Sequence, residues 1–380
     1  MIQKQVTHIV RLPEFYGMGN HLLTLLPALV KNGLDVELIA ITTQNPSPKF
    51  TESIKELKDF GVRVMVLPLR MKSSPLLFGL ISIMRTIDLV GLLRERRNRI
   101  IHFHLEYFGI PIAIWLTGCK KVVMSIHSDD KWFMSYKVRG WLHIIDKLIS
   151  RYIAISEKTK EHYAAAAKID PEKIERIYHG INYVQTNEME FVRKKYNMPA
   201  DKFIFGFVGR LAYEKNVELL IEAAQKLPET HCVIVGDGDL RDKLHQQADG
   251  LSNVQFLGFQ PNGYEVMPGF DLFCLPSRFE GLGLVLIEAM LQGVPIAGSR
   301  AGAIPEILGY GKYGLLFDNN DLDGLVSSIE YALNNKNKVH VSAAYAKQYA
   351  ENSFSLKKMT DQTIQVYTTV DMPGHSGIHE

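Results

Sequence analysis

Short β-branched runs alternate with helical stretches along this chain, and the whole rhythm starts again halfway. In the first half the runs are His8–Arg11, Val36–Ile41, Val62–Pro68, Ile100–His104, Val122–Ile126 and Tyr152–Ile155. Helical stretches lie between them, such as His21–Asn32 closed by Gly33 and Thr51–Phe60 closed by Gly61. The series restarts at Phe203–Val208 and runs on through Cys232–Val235, Val254–Phe256, Leu272–Leu275, Val294–Ala297 and Gly314–Leu316. Strand–helix repetition implies parallel sheets with helices on both faces. Two doubly wound α/β domains are therefore expected, with the polar segment Asn182–Asp201 as linker, and 380 residues suit two cores. In such sheets ligands bind beyond the carboxyl ends of the strands, so the residues just after each strand are the ones to inspect.

Where the protein works is constrained by what the chain lacks. Its start, Met1 to Val6, runs straight into a strand-like segment with no signal-peptide pattern. The longest apolar run, around Leu76 to Met84, is far shorter than a membrane span needs. Cys119, Cys232 and Cys274 are odd in number and scattered, and read as buried thiols of a reducing compartment. A cytoplasmic protein is expected. The net charge of +2 conceals a division: residues 1–185 carry 26 Lys and Arg against 17 Asp and Glu, and the remainder 17 against 24. Either the two domains simply differ in surface, or the first meets an anionic partner.

Two segments bear chemistry. In Pro276-Ser277-Arg278-Phe279-Glu280-Gly281-Leu282-Gly283-Leu284-Val285, a strand ends at a turn, two glycines come next, and a helix runs to Gly293. Free N–H groups at such a helix start bind anions. Glu280 stands before that helix and Glu288 about two turns into it; a nucleotide sugar supplies both the phosphate and the hydroxyls such a pair would suit. Taken alone, the pair also fits a helix-capping acid plus an exposed glutamate. In the second segment, Phe205 to Asn216, a strand ends at Gly209, and Arg210 and Lys215 project from the adjoining loop and helix start. A planar guanidinium and a mobile ammonium could together neutralise a diphosphate, or be two surface cations.

The pairing of "GFVGRLAYEKN" with "PSRFEGLGLVLIEAMLQGVPIAGSRAGAIPEIL" resembles the retaining glycosyltransferases of family 4, which have the GT-B fold. "VIVGDGDLRDKL", "VQFLGF", the turn from Gly302 to Glu306 and the closing "FSLKKMTDQTIQVY" extend the resemblance over nearly the whole chain. It implies two Rossmann-like domains facing a central cleft: residues 1–185 on the acceptor side, joined by a returning helix at 355–370, and 186–354 on the nucleotide side. The tail 371–380 is expected to be disordered. By the same resemblance Arg210 and Lys215 stabilise the departing diphosphate, Glu288 holds the ribose and Glu280 contacts the sugar. Amides around Gly281, Leu284 and Val285 touch phosphate, and backbone near Phe259 holds the base.

On the acceptor side, Gly17 and Gly19 stand where the family has adjacent glycines and a glutamate. His127, directly after a strand, resembles the family histidine facing the donor sugar. His102 and His104 alternate at their strand end, so only one, His104, is expected to face the cleft, with no metal pair there. A dinucleotide site fits less well: Glu37 would be the acid ending the second strand, but Leu22 occupies the third glycine position. Asp237-Gly238-Asp239 reads as a turn and helix cap rather than a metal triplet.

The implied reaction takes a sugar from a nucleotide diphosphate donor, a UDP-sugar above all, with retention and without metal or other cofactor. The acceptor would be a glycan or lipid-linked molecule of surface polysaccharide or glycolipid synthesis. Two basic stretches, Arg70–Arg99 (Arg70, Lys72, Arg85, Arg94, Arg96, Arg97, Arg99) and Lys131–Arg151 (with Trp132, Phe133 and Trp141), suit an anionic membrane face or a solvated edge. A peripheral position at the inner face of a membrane is expected, and no nucleic-acid partner. The alternatives are a GT-B nucleotide-sugar epimerase and a non-catalytic nucleotide-sugar-binding protein.

Overall fold

A computed structural model describes residues 3–12, 18–42, 45–68, 78–104, 110–127, 143–182 and 187–372, with the side chains of 18 and 78–85 excepted. The chain forms two compact units, one running to Gly180 and regaining the chain from Leu356, the other spanning Ile181–Ser355. The second unit thus begins slightly earlier than the composition shift suggests. Ile181 donates its N–H to Phe354 O and bridges Ser355, which closes that unit on itself.

The first unit runs β1 (Gln5–Arg11), α1 (Met18–Lys31), β2 (Asp35–Thr42), α2 (Pro48–Asp59), β3 (Arg63–Pro68), α3 (Phe78–Arg96), β4 (Ile100–Phe103), α4 (Ile110–Thr117), β5 (Val122–Ile126), β6 (Arg151–Ala154), α5 (Glu157–Ala167) and β7 (Ile174–Arg176). Local chemistry starts several of these helices: Ser47 Oγ accepts from Phe50 N–H ahead of α2, and Ser156 Oγ from Thr159 N–H ahead of α5. The strands form one parallel sheet in the order β3-β2-β1-β4-β5-β6-β7. Every expected strand is present; β7, three residues of Ile-Glu-Arg, lacked the apolar run that would have announced it.

Side chains alternate across this sheet. Val6, Val10, Ile100 and Val123 pack on one face with Leu22, Leu25 and Leu26 of α1, while Ile9, Ile101, Phe103 and Met124 fill the other. Five more residues lie on the same parity as the first set: His8, His102, His104, Ser125 and His127.

The second unit runs α6 (Met189–Lys195), β8 (Ile204–Val208), α7 (Glu218–Lys226), β9 (His231–Val235), α8 (Arg241–Gln247), β10 (Val254–Gly258), β11 (Leu272–Leu275), α9 (Leu284–Gln292), β12 (Ile296–Ser299), α10 (Ile304–Ile307), β13 (Leu315–Phe317), α11 (Leu322–Asn334) and α12 (Lys336–Ser353). Its parallel sheet has the order β10-β9-β8-β11-β12-β13. The expected linker is partly wrong. Arg193 on α6 is buried, donating to Gly269 O and pairing with Asp271 at 2.7 Å, so this polar-looking stretch is packed structure. Residues 183–186 lie outside the described ones.

The last helix, α13 (Leu356–Asp371), belongs to the first unit, as expected of the returning segment. Met359, Val366, Tyr367 and Val370 join the α1 face of the core, Lys4 Nζ donates to Thr368 Oγ1, and Asp371 pairs with Lys121 at 2.7 Å. Asp371 is therefore anchored helix and not tail; residues 373–380 lie outside the described ones. The three cysteines are buried free thiols.

Candidate functional site

In the second sheet the chain leaves β8 toward β9 but leaves β11 toward β12, so the loops after β8 and β11 diverge. Such a switch point opens a crevice at the carboxyl ends of the strands. Lys215 sits in the turn after β8 and Glu280 in the loop after β11, and the two meet: Nζ lies 2.6 Å from Glu280 Oε2. Ser277 Oγ, buried, also donates to that oxygen at 3.2 Å. Arg210 is exposed and pairs with Glu214 one helical turn on.

Arg278 holds the two loops together, a role that sequence reasoning missed. Its N–H donates to Glu214 O, Nη1 to Tyr213 O at 2.6 Å and Nε to Asn320 Oδ1 at 3.1 Å, and its guanidinium lies 4.5 Å from the Tyr213 ring centroid. The Tyr213–Lys215 turn is thereby fixed against the loop carrying Glu280. Only the neighbourhood of a motif hinted at this.

Gly283 caps α9 in the left-handed conformation (φ +77°), and among the described residues no side chain caps the helix start. The amides near Gly281, Leu284 and Val285 are thus placed where an anion can accept from them. Glu280 is held on the other side by Gly302, at φ +51°. A Cβ there would stand 1.8 Å from Glu280 O, a backbone atom that cannot yield. Gly302→Ala is expected to cost about 3 kcal/mol of stability and to displace Glu280; urea unfolding of the two proteins measures it.

Glu288 lies on α9 and makes no hydrogen bond or ion pair among the described residues. Burial pushes its carboxyl up to about 7. Its electrostatic neighbour is Tyr264, whose phenol is raised first by burial and then by Glu265 and Glu288. A half-buried carboxylate with no internal partner suits hydroxyl donors from a ligand. Phe259 follows the edge strand β10 with its ring exposed. Asp237 Oδ1 accepts from Gly238 N–H, in keeping with the expected turn, but Leu240 occupies the cap position of α8 without a side-chain bond; the expected acidic cap is absent.

The first sheet switches direction between β1 and β4, and its switch point is lined with imidazoles. His127 follows β5 as expected and receives or gives a hydrogen bond from His104 Nδ1 at 2.9 Å. The expectation that only one of His102 and His104 faces the site fails, because residues two apart on a strand share a face. Their ring centroids are 4.1 Å apart. His8, His21 and His179, not anticipated from sequence, complete the group. Nitrogens of His8, His102 and His104 come within 4.8 Å of one another, a spacing a cation could use. Each of these three rings is already hydrogen-bonded within the row. Gly19 is buried in the first turn of α1; Gly17 lies outside the described residues.

Two other expectations are corrected. Glu37 lies within β2, not at its end, and is taken up by Arg96 and Thr7. Burial pushes its carboxyl upward, yet the bonds from Arg96 and Thr7 outweigh this and hold it below the usual range. It is no ribose ligand. Arg96 and Arg99, read as part of a basic surface, are buried in pairs with Glu37 and Asp35. Arg70, Lys72 and most of Lys131–Arg151, with Trp132, Phe133 and Trp141, lie outside the described residues; the Arg85 side chain does too.

Comparison with known proteins agrees with this architecture. Residues 15–184 match the family model described as Glycosyltransferase Family 4, and residues 188–349 that of Glycosyl transferases group 1. A UDP-Gal:alpha-D-GlcNAc-diphosphoundecaprenol alpha-1,3-galactosyltransferase of Escherichia coli is 26% identical over 97% of both chains. A glycosyltransferase of Methanocaldococcus jannaschii is also 26% identical, over 92% of this chain and 94% of its own. Among solved structures, Anabaena HepE in complex with UDP superposes with a TM-score of 0.80 at 21% identity, covering 97% of this chain and all of that one. WaaG, involved in lipopolysaccharide biosynthesis, gives 0.70 at 16%, covering 96% of this chain and 99% of its own. At those identities the structures establish the GT-B fold alone. The consecutive family matches, in the order of the two sheets, establish the rest: the chain belongs to the family 4, group 1 glycosyltransferases.

Proposed function

We propose that this glycosyltransferase moves a sugar from UDP to a lipid-linked or glycan acceptor with retention at the anomeric carbon. The observation that carries the reading is the Lys215–Glu280 pair at a switch point, beside the uncapped start of α9. Diphosphate would lie over those amides, within reach of Lys215 and Arg210. Glu288 would accept from ribose hydroxyls, backbone near Phe259 would hold the base, and Glu280 would contact the sugar. The names of the relatives support a UDP-linked donor and a diphospholipid-linked acceptor.

The bond from anomeric carbon to phosphate oxygen breaks as the acceptor oxygen bonds to that carbon on the same face. The acceptor's proton passes to the leaving phosphate oxygen, so UDP departs and atoms balance. Negative charge grows on the diphosphate, where fixed cations and amides act most strongly. Lys215, Arg210 and the helix start supply the positive charge a metal would otherwise bring, so the reaction is expected to proceed in EDTA. A panel of UDP-sugars followed by proton NMR tests this. Slow release of UDP and the α-anomer from an α-linked donor is expected. Initial release of the β-anomer, isomerised donor alone, or no turnover of any donor would contradict it.

A peripheral position at an anionic membrane face is proposed from the first unit. No helix among the described residues is long and apolar enough to cross a membrane. Helix α4 instead exposes Ile112, Trp115 and Leu116, α3 exposes Ile87, and Arg94 and Arg97, in the last turn of α3 and just past it, are exposed. Trp with aliphatic neighbours and cations suits a headgroup boundary. Co-sedimentation with phosphatidylglycerol vesicles, weakened in Trp115→Ser, is the expected result; equal recovery with phosphatidylcholine would contradict it.

A further inference from the structure

Six groups run in series along one face of the first sheet. Ser125 Oγ lies 2.8 Å from His102 Nε2, and His102 Nδ1 lies 2.6 Å from the Tyr367 hydroxyl. That hydroxyl lies 3.4 Å from His8 Nε2. His8 Nδ1 then meets His104 Nε2 at 2.9 Å, and His104 Nδ1 meets His127 Nε2 at 2.9 Å. Burial holds the imidazoles neutral: His8 falls to about 3 and His127 to about 4, with His102 and His104 well below their usual value.

A neutral imidazole has one N–H and one lone pair. A ring that donates at one nitrogen must therefore accept at the other, and direction passes from ring to ring. The series has two ordered states, and the single phenol proton of Tyr367 selects between them. O–H donors make shorter bonds than N–H donors, so that proton belongs in the 2.6 Å contact with His102 Nδ1 rather than the 3.4 Å contact with His8. His8 then donates from Nε2 to Tyr367 and accepts at Nδ1 from His104. His104 in turn accepts at Nδ1 from His127 Nε2–H.

We propose that Tyr367, on the last helix, fixes the tautomer of His127 through His8 and His104, so that His127 Nδ1 is an acceptor for a substrate hydroxyl and not an acid. The functional half of this rests on the sugar-transfer reading above. Among the described residues His127 Nδ1 is buried without a partner, and so are His21 Nδ1 and both nitrogens of His179. The His21 and His179 rings stack at 3.9 Å, with His127 5.6 Å from the first and 5.5 Å from the second. Buried polar atoms seldom go unpaired, and four unpartnered nitrogens on three neighbouring rings point to a hydroxyl-bearing occupant. Tyr367 is a positioning residue in this scheme.

Ring-nitrogen NMR of the full-length protein with ¹⁵N-labelled histidine, His127 assigned by His127→Gln, is the test. In wild type the expected state is His127 protonated at Nε2 and bare at Nδ1. In Tyr367→Phe, which keeps the ring and removes the phenol proton, His127 should show both tautomers. Turnover should fall about tenfold, the worth of one hydrogen bond, with UDP affinity unchanged. A wild-type His127 protonated at Nδ1 overturns the proposal, and that spectrum needs no variant. An unchanged tautomer in Tyr367→Phe overturns it too, as does stoichiometric Zn²⁺ binding at His8, His102 and His104. If no donor is turned over while His127 keeps the ordered tautomer, the proposed function fails and the ordering stands.

Discussion

Lys215→Ala is expected to lower kcat by about 10²–10³, roughly 2.7–4 kcal/mol of transition-state stabilisation, the scale of losing one oxyanion donor. Before substrate binds, the ammonium is committed to Glu280 and held by the turn that Arg278 fixes. Its charge is therefore already in place when the diphosphate leaves. Arg210→Ala should also fall by tens to hundreds of fold, though the exposed Arg210 side chain must first turn from Glu214 toward the ligand. Single-turnover rates with a saturating donor would measure both. Turnover near wild type in both variants would remove these residues from the chemistry.

The second large effect concerns Glu288 and runs in opposite directions for stability and binding. Its folded-state value of about 7 lies above the 4.5 of an ordinary glutamate. Between those values the folded protein holds a proton that the unfolded chain has lost, so stability falls as pH rises through that window. By pH 8 the loss is about 3 kcal/mol. Glu288→Gln should abolish it, making the variant more stable than wild type at pH 8 and little different at pH 4. Donor affinity should fall about tenfold to a hundredfold, since a charged acceptor for ribose hydroxyls is gone. Wild-type affinity should also rise as pH passes 7, a dependence the variant lacks. Urea unfolding at the two pH values, with donor titrations beside it, separates the two effects.

Much of the fold was legible because its strands are apolar and its helices are closed by recognisable signals. The switch points are not local features: they arise from sheet order, which no single segment carries. Lys215 and Glu280 were visible as motif residues, but their pairing at 2.6 Å comes from loops 65 positions apart, meeting at adjacent strands. Arg278 was hidden because its partners, Tyr213, Glu214 and Asn320, come from two other loops. The histidine row was hidden for a similar reason. His8 and His102 are opposite each other only in the β1–β4 register, and His21, His179 and Tyr367 arrive from three other elements. Arg96, Arg99 and Glu37 misled for the opposite reason: charge in the sequence was read as surface, and the fold buries it in mutual pairs.

The central claim is that the second unit holds a nucleotide diphosphate through fixed charges and amides, with Glu288 on the ribose. Calorimetric titration of UDP into the full-length protein in EDTA, alongside Glu288→Gln, tests it most directly. Saturable one-to-one binding by wild type, at least tenfold weaker in the variant, is predicted. Binding that requires a divalent cation, or equal affinity in the two proteins, would contradict it.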